Sequence, residues 1–106
     1  MTEIDSRGAA SCIDEAFSVA SAGTVGTHLS FDLDAVDPEY APGVGTPVPG
    51  GLSLRESLLI CDLARQQLRL LGLEVVELNP TLDHENKTGR LAVWLILSAL
   101  GKAILG

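Results

Sequence analysis

Apolar residues recur at helical spacing early in the chain. Ile13, Ala16, Phe17 and Ala20 share one face of a stretch from about Ser6 to Ser21. Asp5 or Ser6 can accept from its first free N–H groups. Gly23 and Gly26 bracket a turn, and the period then changes to two. Over Thr27–Asp34, Leu29, Phe31 and Leu33 fall on one face and Ser30, Asp32 and Asp34 on the other, the pattern of a strand. From Ala35 to Gly51 no period survives. Pro38, Pro42, Pro47 and Pro49 exclude a helix and most ladder bonds, while Gly43, Gly45, Gly50 and Gly51 permit close backbone approach. So long a loop in a compact domain is usually functional.

Ser53 and Glu56 then have the spacing of a capping box. A helix is expected from there to about Leu71, with Leu54, Leu58, Leu59, Leu63 and Leu68 inside and Gly72 at its C-terminal stop. Leu73–Leu78 is short and mostly apolar, a buried strand that Asn79-Pro80 ends. Residues 81–87 are polar loop. Thr88 is positioned to cap a last helix reaching about Leu105, apolar on nearly every face. The order is thus three helices and two strands. A helix of that length between the strands implies a right-handed parallel crossover, hence a layered α/β fold. Two strands make too small a parallel sheet, so further strands are expected in other sequence or a partner chain.

Charge narrows the functional classes. At −7 over 106 residues, with no basic stripe, the chain offers nucleic acid no site and better suits cationic ligands. Cys12 and Cys61 lie in helical, apolar contexts, which suits buried free thiols in a reducing cytoplasm. MTEIDSRG lacks the features of a signal peptide. Leu91–Leu105 is interrupted by Ser98, Gly101 and Lys102 and falls short of the roughly 20 apolar residues of a membrane span, so no membrane association is expected.

Ligands of open α/β sheets bind outside the carboxyl ends of the strands, where this chain collects acid. Asp32 and Asp34, two apart on a strand, would point to the same side and raise each other's pKa unless a cation intervenes. They fit a hard divalent cation, or else a solvated strand end that marks a turn. Glu77, near the end of the second strand, either caps local backbone or clamps a cationic group, guanidinium above all. Asp37 with Pro38 reads as a loop-shaping pair, and His28 and His84 as isolated histidines of structural or surface type.

SFDLDAVDPEYAPGVGTPVPGGLS, from Ser30 to Ser53, resembles the signature of the ureohydrolases, the arginase and agmatinase superfamily. VVELNPTLDHENKTGRLAV resembles their second signature in its arginase form, with the N-K-T segment at Asn86–Thr88, and EIDSRG resembles an arginase segment that opens a helix. The resemblance covers residues 1–106 and matches the C-terminal portion of an arginase. It implies part of a three-layer α/β/α parallel sheet and a site with two Mn²⁺ ions. Asp32 would bridge them, Asp34 would bind one, Glu77 would hold the guanidinium of L-arginine, and Thr46 would support it; L-ornithine and urea would be the products. The family's remaining metal ligands, its proton-transfer histidine and the residues that read the far end of the substrate lie upstream of the matched region. The chain is therefore expected to be a fragment, to contain no complete catalytic set, and to be inactive alone. The whole enzyme would be a cytoplasmic homo-oligomer, a trimer or hexamer. Other readings are an agmatine, guanidinobutyrate or formimidoylglutamate substrate, disfavoured by the N-K-T segment, and a non-catalytic fragment that acts by association with a partner chain.

Overall fold

The computed structural model describes residues 1–101. The first expected helix starts three residues later than its spacing predicts, as α2, Ala9–Ser21, and a further helix, α1, Thr2–Arg7, precedes it; the two are separated at Gly8, whose φ of 85° is left-handed. Arg7 ties them together by pairing with Glu3 on α1 and Glu15 on α2. Strand β1, Thr27–Asp32, follows, then a 3₁₀ turn, Leu33–Ala35. The strand is two residues shorter than its alternation predicts. The reason is local: Asp32 Oδ1 accepts from the Asp34 N–H at 2.8 Å, which winds the chain out of the ladder. Asp34 therefore lies on a turn and not on the strand face.

Helix α3, Leu54–Gln67, starts with the expected capping box. Ser53 Oγ accepts from the Glu56 N–H at 3.0 Å and Glu56 Oε1 from the Ser53 N–H at 2.9 Å. The helix stops before Leu71, however, and β2 spans Leu70–Val76. Parallel pairing explains the shift. Thr27–Asp32 pairs with Leu70–Val76, which draws Leu70 to Gly72 into the sheet. Gly72 is thus a mid-strand residue opposite His28, and a Cβ there would run into His28 Nδ1. The glycine serves close approach across the sheet, not a helix stop.

After a 3₁₀ turn at Pro80–Leu82, α4 spans Lys87–Ala99 with Asn86 at its N-cap in place of Thr88. The part of the expected helix at residues 102–105 lies outside the described residues. The helix is not covered all round, since Val93 and Trp94 are exposed.

The two strands are parallel and adjacent. Leu29, Phe31, Leu73 and Val75 turn one sheet face to the core, where Phe31, Leu58, Cys61, Leu91 and Leu95 are buried. His28, Ser30, Asp32 and Glu74 are exposed on the other. The loop between β1 and α3 is closed at its neck. Val36 bridges Leu52, and the Asp37 N–H donates to the Leu52 carbonyl at 2.9 Å. No described helix is long and apolar enough to cross a membrane.

Candidate functional site

The carboxyl ends of β1 and β2 open onto one edge of the sheet. Asp32 is the last residue of β1 and pairs with Val76, the last of β2, so Glu77 follows directly beside it. Glu77 leaves the strand with φ 73°, a left-handed conformation that non-glycine residues seldom adopt. Strain of this kind persists where the surroundings over-determine the backbone. One constraint is visible two residues on: the Asn79 N–H donates to the Gly43 carbonyl at 2.8 Å, tying the end of β2 to the long loop.

Thr46, on that loop, reaches the same edge. Its hydroxyl donates to Asp34 Oδ2 at 2.6 Å. Asp34 Oδ1 is buried and has no hydrogen-bond partner. Asp32 Oδ1 is engaged by the Asp34 N–H, and no hydrogen bond among the described residues engages its Oδ2. Direct bonds thus connect Asp32, Asp34 and Thr46, and strand register sets Glu77 next to them. A buried carboxylate oxygen without a partner is costly, and a hard cation is one way to satisfy it. The two aspartates fit such a cation as partial ligands. Among the described residues, no group of three or more His, Cys, Asp or Glu gathers where it could hold a metal.

Asp37 shapes the loop. Its Oδ1 accepts from the Glu39 N–H at 2.9 Å and its Oδ2 from the Gly50 N–H at 2.8 Å. The Glu39 bond, followed by that from Gly50, holds its carboxyl below the usual range. His28 and His84 are exposed, and no hydrogen bond among the described residues ties either side chain to these carboxylates; His28 Nε2 stands 3.6 Å from Glu74 Oε1. Cys61 is buried, which pushes its thiol up to about 12 and makes it unreactive.

Asp83 is the residue that sequence reasoning missed. Its Oδ1 accepts from the His84 and Thr88 N–H groups and its Oδ2 from the Gly89 N–H, at 2.9 to 3.0 Å. Burial works against the charge, but these bonds outweigh it and bring the carboxyl to about 2. An acid just before an apolar helix was the available signal.

Parallel strands with carboxylates at their carboxyl ends, beside a long Gly/Pro loop, define an α/β protein with its candidate site at a sheet edge. The arginase family model matches residues 1–101, and the chain belongs to the arginase family. The arginase of Bacillus subtilis (strain 168) is 50% identical over 105 residues, 99% of this chain and 35% of that protein. A crystal structure of arginase from Bacillus subtilis superposes with a TM-score of 0.92 at 50% identity, over 98% of this chain and 37% of that one. The structure of Trypanosoma cruzi formiminoglutamase with Mn²⁺ gives 0.83 at 29% identity, over 93% and 33%. This chain therefore spans about a third of the length of the relatives it matches.

Proposed function

We propose that this chain is the C-terminal portion of a binuclear manganese arginase, and that it contributes one side of a site hydrolysing L-arginine to L-ornithine and urea. The observation that carries the reading is the state of Asp34: one oxygen held by Thr46, the other buried and unpaired, beside Asp32. A pair of Mn²⁺ ions there would supply charge stabilisation and a water acidified for attack on the guanidinium carbon. Asp32 and Asp34 are the ligands this chain provides. Thr46 fixes the rotation of the Asp34 carboxylate. Glu77, exposed beside them, has two oxygens with which to pair a guanidinium bidentately. The arginase relatives support L-arginine over other guanidino compounds. The likeness to a formiminoglutamase makes clear that the fold alone does not choose the substrate. Cys12 and Cys61 are unpaired thiols, in keeping with a reducing cytoplasm.

With two carboxylates and no third ligand, Mn²⁺ binding by this chain alone is weak and arginine is not turned over. Isothermal titration of Mn²⁺ into the chain and its D32A/D34A variant tests this. Weak heat that disappears in the double variant is expected. Heat that survives both substitutions would overturn the assignment. Tight uptake of two ions would mean that copies complete one another's sites.

A second reading, association with a partner chain, is favoured by one observation: among the described residues the parallel sheet has only two strands. A homo-oligomer, trimer or hexamer, is the form expected of the whole enzyme.

A further inference from the structure

The N-K-T segment has no part in the chemistry proposed above, yet its threonine is buried and bonded across the molecule. Thr88 has no exposed surface. Its Oγ1 accepts from the Gly43 N–H at 2.8 Å, a bond between residues 45 apart in sequence. The Gly43 carbonyl is held as well, by the Asn79 N–H. Both polar groups of one loop residue are thus fixed, the carbonyl by Asn79 just after β2 and the N–H by Thr88 in the first turn of α4. The fit leaves no room for a side chain, since a Cβ at Gly43 would lie 2.7 Å from Asp83 Cβ. Asp83 in turn fixes Thr88 by accepting its N–H. Three residues beyond Gly43, exposed Thr46 makes its bond to Asp34.

We propose that Thr88 is a positioning residue for the candidate site: by anchoring Gly43 it sets the backbone from which Thr46 reaches Asp34. The competing account is that Val44, itself buried, and the Asp37 clasp hold Thr46 with no help from Thr88. Its role in catalysis rests on the arginase reading, but the bond it controls can be measured without metal or substrate.

The test is NMR on the full chain, reading Gly43 amide exchange and the Thr46 χ1 coupling. Thr88→Val keeps the shape of the side chain and removes the acceptor. Gly43 exchange should rise about tenfold, the loss of one buried hydrogen bond, and Thr46 χ1 should average over rotamers. Thr88→Ser keeps the hydroxyl and should restore both. Faster Gly43 exchange with Thr46 still fixed in one rotamer would overturn the proposal. Should the valine variant unfold, Thr88→Ala is read in the same way. The wild-type chain gives a further reading on warming below its unfolding transition. Loss of Gly43 protection and of the Thr46 rotamer together supports the coupling; Thr46 averaging while Gly43 stays protected overturns it. Mn²⁺ titration of the same samples separates the two ideas, because the coupling stands even if the wild-type chain takes up no metal.

Discussion

Single side chains decide how charge is distributed over this molecule. Asp83 is held at about 2 in the folded chain against an ordinary 3.8. A depressed carboxyl contributes stability above its unfolded pKa and loses it as pH falls through the folded value. Unfolding by urea should therefore become easier between pH about 4 and about 2, and Asp83→Asn should flatten that interval while lowering stability at neutral pH. A variant with the wild-type slope would assign the acid response to other carboxylates. Glu77 makes a different trade. Its left-handed backbone costs about 1 kcal/mol that glycine does not incur. Glu77→Gly should raise the denaturation midpoint while removing the carboxylate proposed to hold guanidinium; a lowered midpoint would mean that the side chain contributes more than its backbone strain costs. At this scale the sequence was legible wherever chemistry depends on residue type. The acids Asp32, Asp34 and Glu77 stood out because they follow apolar runs. Asp83 did not, since its importance comes from donors in α4 that only the fold brings to it.

Elements were readable in kind and less so in extent. The capping box of α3 depends on residues three apart, and it formed as expected. Ser53→Ala should cost about 1 kcal/mol in chemical denaturation; a change near zero would mean that water replaces the cap without penalty. Ends set by distant partners were misread. Leu70–Gly72 looked like helix and stop because their pairing with Thr27 and His28 spans some forty residues and leaves no local pattern. Asp34 looked like strand because alternation cannot reveal that Asp32 would bond its N–H. Gly8 was available as a break, but the apolar residues that marked the first helix, Ile13 to Ala20, all lie beyond it, so α1 before it left no periodic trace. The last helix looked uniformly buried because nearly all its residues are apolar, whereas Trp94 and Val93 face outward.

Across the whole molecule, parallel layering and the edge that carries the candidate site were legible from element order, which allows few topologies. What would extend the sheet beyond the two strands of the described residues was not, because this sequence carries no pattern for a strand it does not contain. A two-stranded parallel sheet with exposed Trp94 should associate, so light scattering on the pure chain should report a mass above 11.1 kDa. A monodisperse monomer would count against the partner reading. The bond from Gly43 to Thr88 has a consequence for the order of events on the ribosome. Synthesis runs from the N-terminus, so Asp32, Asp34 and Thr46 are made well before Asn79, Asp83 and Thr88, which pin their loop. Contacts of such separation form late, after the entropy of closing the intervening chain has been overcome. A nascent chain halted before Asn79 should carry the acidic loop in a form open to protease, and the candidate site should be among the last parts of this chain to mature.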